Sequence, residues 1–328
     1  MLLKGNCIEL LATLPDNSVD SIVTDPPYGL SFMGKSWDGP AGMLGQIATG
    51  DEKRGAYAYG GSHSRGYIDN DNLAFQAWTT EWAIQALRVL KPGGHLLAFG
   101  GSRTYHRLAS AVEDAGFEIR DQIMWLHGTG RPAHYSFLRP THEPIVVARK
   151  PLIGTVSKNF EEYGTGVMNI ESSKFEGRYP TNVIHDGLTE EWSKFFYCSK
   201  PSMKERNAGL NSLPEVEIAA KGNGLARTCE NCGASTLTGC DCPNRTFSNP
   251  KRKNFHPTVK PLELMQYLVR LVTPPNGTVL DPFLGSGTTA VAAILEGFNW
   301  MGCEMTEDYW PIIEARVAWA EAQPKTLL

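Results

Sequence analysis

The chain has 328 residues, 41% of them hydrophobic, and a formal net charge of −4. That length builds one large core, or one core with an inserted module. No run of residues reaches the apolar length of a membrane span. The N-terminus also lacks the basic, apolar, small-residue order of a signal sequence, so a soluble cytoplasmic protein is expected. The near-neutral balance excludes a globally basic chain, and a nucleic-acid partner would have to be met by local patches. Seven cysteines without a secretory signal point to metal or core roles rather than a disulfide framework.

In chain order, residues 1–3 read as a very short strand. Ile8, Leu10, Leu11 and Leu14 then mark one face of a helix that Pro15 breaks. Residues 19–23 are a β-branched run with the look of a buried parallel strand. It must stop at Asp25-Pro26-Pro27-Tyr28, because consecutive prolines lack backbone N–H groups. A carboxylate, a stiff turn and an aromatic ring therefore stand at the carboxyl end of a strand, where open α/β sheets hold ligands. The Asp25 side chain and the Pro26 carbonyl can act as paired acceptors for one amino group, with Tyr28 as a stacking surface. A chance aspartate in a Pro-rich turn is the plainer alternative.

Residues 29–75 are glycine-rich with little periodicity, which suits a lid over Asp25. Trp78, Trp82, Ala83, Ala86, Leu87 and Leu90 form a helical stripe that residues 91–94 (KPGG) are expected to stop. Residues 95–99 read as a strand, 103–115 as a helix, 117–126 and 142–148 as further strands. Alternation of this kind means a doubly wound, mostly parallel α/β sheet. Residues 150–255 break the rhythm and read as an inserted module. Three domain segments follow: 1–149, the 150–255 insert, and 256–328. Beyond the insert come a helix over 261–272, a strand over 278–281, a glycine turn into a small-residue helix, a strand tipped by Glu304, and a last helix over 307–320.

Gly285-Ser286-Gly287-Thr288-Thr289-Ala290 after a strand, with Glu304 nineteen residues past Gly285, suits an adenosyl cofactor. A tight β–α turn in any α/β fold would look similar. Asp281 would repel the pyrophosphate of a dinucleotide but attract the ammonium and sulfonium of S-adenosylmethionine, which tips the choice to the methyl donor.

At this point the chain resembles the β-class DNA amino-methyltransferases. The resemblance rests on DPPY (25–28), KPGG (91–94), HPTVKP (256–261), DPFLGSGTT (281–289) and the Glu304 strand tip. It implies the S-adenosylmethionine-dependent methyltransferase fold, a seven-stranded type of sheet in circularly permuted order. It implies transfer of a methyl group to an exocyclic amine of double-stranded DNA after base flipping. Asp at the first DPPY position favours N6 of adenine, with N4 of cytosine the alternative. RNA or protein amide methylation and a non-catalytic DNA-binding role are more distant rivals. Catalysis is assigned to Asp25, Pro26, Pro27 and Tyr28. Cofactor contacts are assigned to Asn6, Asp25, Lys260, Asp281, Phe283, Gly285, Ser286, Gly287, Thr288 and Glu304. Relatives often carry an acid where Asn6 stands. The setting implied is a bacterial or phage-infected cell, with a homodimer and a restriction endonuclease partner both left open.

Cys229, Cys232, Cys240 and Cys242 follow a C-x2-C-x7-C-x-C spacing that suits a structural zinc site, with reactive pairs or a redox switch as alternatives. Cys7, Cys198 and Cys303 read as core. Residues 245–260 carry five basic residues and no acid. Among them Arg245, Lys251, Arg252 and Lys253 are candidate DNA contacts, and the insert is expected to read the target sequence.

Overall fold

Six successive residues of β2 (Val19–Thr24) are all buried, as a strand covered on both faces requires. Ile22 packs into one apolar cluster and Val23 into another, because successive side chains point to opposite faces. In this computed structural model, which describes residues 1–30, 38–39, 43, 69–127, 141–185, 200–218, 227–235, 241–243 and 246–323, β2 is the centre of an eight-stranded sheet. The other members are β1 (Leu2–Lys4), β3 (Leu90–Phe99), β4 (Glu118–Leu126), β5 (His142–Arg149), β6 (Val183–His185), β11 (Thr278–Asp281) and β12 (Asn299–Glu304). Their order is β1-β12-β11-β2-β3-β5-β4-β6. Only β5 runs against its neighbours.

One face is covered by α1 (Cys7–Ala12), α2 (Asp69–Val89) and α3 (Tyr105–Asp114). Trp78, Trp82, Ala86, Leu108 and Val112 pack there on Ile22, Leu96 and Val146. The opposite face is covered by α6 (Leu262–Val272) and α7 (Thr288–Leu295), whose Leu264, Leu268, Ala292 and Ala293 meet Val23, Leu97 and Val147. The last helix, α8 (Trp310–Glu321), lies beside β1, where Lys4 pairs with Glu314 at 2.9 Å. The expected doubly wound, permuted sheet is therefore present, with β6 as an additional edge strand. No helix among the described residues is long and apolar enough to cross a membrane.

Two local expectations are corrected. Residues 69–75 begin α2 rather than ending a loop; most of the expected lid lies outside the described residues. Residues 91–94 do not form a helix stop. They bulge from β3, since Val19 pairs with Leu90 and Ser21 with His95. Gly93, at φ +77°, supplies the bend, and the buried Pro92 carbonyl accepts from Asn159 and Thr165. The proton donors come from α4 (Val156–Tyr163) and the turn after it.

That contact moves the division expected at 149/150. Residues 150–185 are docked on the α/β core: Asn169 donates to the Arg270 and Thr273 carbonyls at the end of α6, and β6 extends the main sheet beside β4. Only the later part forms separate ladders, β7 (Val216–Glu217) with β10 (Lys251–Arg252) and β8 (Thr228–Cys229) with β9 (Phe247–Ser248). The short α5 (Met203–Arg206) precedes them.

Candidate active site at the β11–β2 crevice

From β11 the chain turns through α7 to β12 on one side; from β2 it turns through α2 to β3 on the other. The carboxyl ends of these adjacent strands are thus a topological switch point, the crevice where open α/β sheets bind ligands. Asp281 ends β11 and Asp25 follows β2. The Thr24 hydroxyl donates to Asp281 Oδ1 at 2.6 Å, locking the two tips together. A cavity of about 570 Å³ opens here, lined by Asn6, Asp25, Pro26, Pro27, Tyr28, Lys260, Asp281, Phe283, Gly285, Ser286, Thr288 and Glu304. Of the residues expected at the site, Gly287 alone does not line it; at φ +81° it caps the start of α7 and serves through its backbone.

At the β11–β12 end, carboxylates shape the glycine turn. Asp281 accepts from the Phe283 N–H and the Thr289 hydroxyl as well as from Thr24, and burial pushes its pKa up to about 6. Glu304 Oε2 accepts from the Gly285 N–H at 2.8 Å and Oε1 from the Thr306 N–H at 2.7 Å. Burial raises its pKa, and those N–H groups partly offset the rise. Gly285 stands at φ +56°, and a Cβ there would lie 2.8 Å from His256 Nε2. Desolvation, with Arg206, Lys260 and Arg316 nearby, lowers the His256 pKa to about 3, so it faces the turn as a neutral ring. Phe283 packs on Trp78 and Trp82 at 5.3 and 5.4 Å between ring centroids, giving this end an aromatic wall. Asn6 lines the cavity while its Oδ1 accepts from the Ile8 N–H to cap α1. Arg316, which no motif or spacing in the sequence marks, is 2% exposed. Its Nη1 donates to the Ser286 carbonyl, the Ser286 hydroxyl and the Thr288 hydroxyl at 2.8–3.0 Å, holding the turn from behind.

At the β2 end Lys260, expected to meet the cofactor, lines the same cavity and sits on Asp25, with Nζ 2.5 Å from Oδ2. The Tyr28 hydroxyl lies 2.9 Å from Asp25 Oδ1 and 3.0 Å from Oε2 of Glu143. Glu143 in turn faces Lys260 at 3.3 Å, His127 at 3.6 Å and Lys200 at 3.9 Å. Burial raises the Asp25 pKa and Lys260 offsets part of the rise. Burial would also raise that of Glu143, but Lys260, His127 and Lys200 outweigh it and hold the group below the ordinary carboxylate range. By periodicity residues 142–148 read as a strand and nothing more; the acid in front of so apolar a run is the signal that the sequence offers for Glu143.

The remaining expected residues divide. Cys7 and Cys303 are buried in the core; Cys198 lies outside the described residues. Cys229, Cys232 and Cys242 bring their sulfurs within 4.8 Å of one another, while Cys240 and Arg245 lie outside the described residues. The basic run is not one surface. Lys251 is exposed opposite Glu217, Arg252 is partly buried, Lys253 donates to the Asn211 carbonyl, and Lys260 is inside the site.

Comparison with known proteins agrees with this geometry. The chain is 26% identical over 311 residues to the type II methyltransferase M.HindIII of Haemophilus influenzae, covering 93% of this chain and 90% of that protein. Its fold matches the PvuII DNA methyltransferase, a cytosine-N4-specific enzyme, with a TM-score of 0.56 at 16% identity, over 100% of this chain and 87% of the other. It also matches TTHA0409 of Thermus thermophilus, assigned as a DNA modification methylase and solved with S-adenosyl-L-methionine. There the TM-score is 0.50 at 20% identity, over 98% and 95% of the two chains. A family model described as DNA methylase, of the N6/N4 type, matches residues 19–315, and the chain belongs to that family of DNA methyltransferases.

Proposed function

We propose that this chain methylates the exocyclic N6 of adenine at a specific DNA site, using S-adenosyl-L-methionine. The observation that carries the reading is that Asp25 and Tyr28 open onto the same cavity as Asp281, Gly285 and Glu304. The residues present fit the cofactor. Phe283, against Trp78 and Trp82, offers a face for an adenine ring. Glu304 offers acceptor positions for ribose hydroxyls, and Asp281 stands where a cationic sulfur or amine is favoured. The Ser286 and Thr288 hydroxyls, accepting from Arg316, keep their protons for a carboxylate. When bound, the cofactor supplies an electrophilic methyl group on a sulfonium centre.

The chain supplies the positioning. An exocyclic amine is a poor nucleophile because its lone pair is delocalised into the ring. Hydrogen bonds from its two N–H groups to Asp25 and to the Pro26 carbonyl favour a pyramidal nitrogen with its lone pair facing the cavity. Asp25 is then the adjacent base for the proton the amine sheds. The target base must leave the duplex, at a cost of a few kcal/mol.

A structural zinc ion fits Cys229, Cys232 and Cys242, with Cys240 as the fourth ligand. Its knuckle on β8 and β9 runs directly into β10 and Lys251–Lys253, so residues 200–253 are the proposed reader of the DNA sequence.

The test is methylation of DNA from a methylation-free host, followed by nucleoside mass spectrometry. N6-methyladenine is the expected product. N4-methylcytosine would shift the reading to the chemistry of the PvuII enzyme, and no methylated base would overturn it. Asp25→Ala should lower transfer at least about 100-fold and leave S-adenosylhomocysteine affinity within about twofold.

A further inference from the structure

One buried cation faces two half-buried carboxylates at the target end of the cavity. Lys260 is 7% exposed at its side chain, with Nζ 2.5 Å from Asp25 Oδ2 and 3.3 Å from Glu143 Oε2. The Tyr28 hydroxyl stands between the same two acids, 2.9 Å from Asp25 Oδ1 and 3.0 Å from Glu143 Oε2, and 3.3 Å from Lys260 Nζ. A hydroxyl has one proton and a choice of two acceptors. In the arrangement seen, Lys260 occupies the carboxylate that the proposed chemistry assigns to the target amine. The amine gains positive charge as it is methylated, and an ammonium ion beside Asp25 opposes that charge.

We propose that Lys260 is a latch: it neutralises Asp25 until a base enters, then turns onto Glu143, freeing Asp25 to accept from the target amine. Glu143 is built to receive it. Oε2 faces Lys260 and Tyr28, while the other oxygen is steadied by His127 at 3.6 Å and Lys200 at 3.9 Å. The move is small, a rotation about the last torsions of a lysine whose Nζ is already within ion-pair distance of both acids. The Tyr28 proton can follow in the opposite sense, donating to whichever acid Lys260 has left. Glu143 and Lys260 are then positioning residues, acting on the reaction through Asp25. No covalent step is involved, and no proton is gained or lost by the trio.

The inference rests on Asp25 as the acceptor of the target amine. Its test uses the full chain, a target duplex and single-turnover methyl transfer, with S-adenosylhomocysteine titration alongside. Glu143→Gln leaves Lys260 with Asp25 as its single anionic partner. It should slow transfer about 10-fold or more while DNA and S-adenosylhomocysteine affinities stay within about twofold. Lys260→Gln removes the counter-ion of Asp25. It should move the acid limb of the rate–pH profile up by about one unit or more, and Lys260→Arg should keep the limb in place. The charged and titratable groups lining the cavity around that limb are Tyr28, Asp38, Arg103, His127, His142, Glu143, Lys200, His256, Asp281 and Glu304, all present in both variants. A merely structural Lys260 would change stability and leave the limb where it is.

Wild-type rates in Glu143→Gln, or an unmoved acid limb in folded Lys260→Gln, overturn the latch. So does a loss of S-adenosylhomocysteine affinity that matches the loss of rate, which would return Lys260 to the cofactor. If Lys260→Gln does not fold, Glu143→Gln decides, since it retains the Asp25 pair. Turnover by Asp25→Ala would remove the underlying reading; an inactive Asp25→Ala beside a wild-type Glu143→Gln removes the latch alone.

Discussion

Replacing Asp281 by asparagine should make the protein more stable at neutral pH and worse at holding its cofactor. Asp281 is 3% exposed, and burial raises its pKa from 3.8 to about 6. An acid held above its unfolded pKa contributes stability that is complete below the unfolded value and lost as pH rises through the folded one. Between pH 4 and 6 the unfolded chain has released this proton and the folded chain still holds it. About two units at 1.36 kcal/mol each come to about 3 kcal/mol of stability lost across that window. Asparagine keeps a carbonyl to accept from the Phe283 N–H and the Thr24 hydroxyl, and has no proton to release. Any fixed change in hydrogen bonding displaces the variant equally at every pH, so the slope is the diagnostic. The wild-type charge also raises the pKa of Glu304, and removing it flattens the variant further in the same direction. Urea unfolding at pH 4, 5, 6 and 7 should show the stability difference moving in favour of Asp281→Asn by up to about 3 kcal/mol. Parallel stability–pH curves for the two proteins would refute this account of the buried carboxylate.

Glu304→Ala should weaken S-adenosylhomocysteine binding by about 10- to 100-fold, from the loss of about 1.5–3 kcal/mol of charge-assisted hydrogen bonding. An unchanged dissociation constant by calorimetry would mean that the ribose is held elsewhere. The double substitution of Cys229 and Cys232 by serine should abolish about one equivalent of zinc per chain and lower site selectivity, with S-adenosylhomocysteine still bound by the α/β core. Unchanged metal content by mass spectrometry would exclude the proposed site.

What could be read from the sequence was what local rules decide. The Asp25-Pro26-Pro27 turn ends a strand because proline cannot continue the ladder. The Gly285 turn opens a helix because a residue at φ +56° with His256 above it has no room for a side chain. Residues 91–94 misled for the complementary reason. Pro-Gly-Gly after a helix is a stop by local rules, but the Pro92 carbonyl finds its donors in Asn159 and Thr165. The chain therefore bulges inside a strand instead. The same polar contacts hide the docking of residues 150–185, since Asn159 and Asn169 hold that segment in place with side-chain amides that leave no apolar period to read. Glu143, Lys260 and Arg316 act across the sheet or from a distant helix, and their partners are set by topology rather than by spacing.

That topology also explains why so many buried acids gather in one place. Adjacent parallel strands lie about 4.8 Å apart, so the tips of β2 and β11 bring Asp25 and Asp281 together, and Thr24 fixes them there. The distance between the proposed amine and cofactor ends is therefore set by the pairing of β11 with β2 in the sheet. The cost is electrostatic: Asp25, Asp281 and Glu304 all have raised pKa values from burial. Lys260 neutralises part of the charge at the β2 end. At the β11 end Arg316 is spent on the Ser286 and Thr288 oxygens rather than on a carboxylate. The uncompensated negative charge thus lies where the proposed cofactor would place a positive one. The same burial that makes these carboxylates costly to ionise supplies the preference for a cationic methyl donor that the proposed function needs.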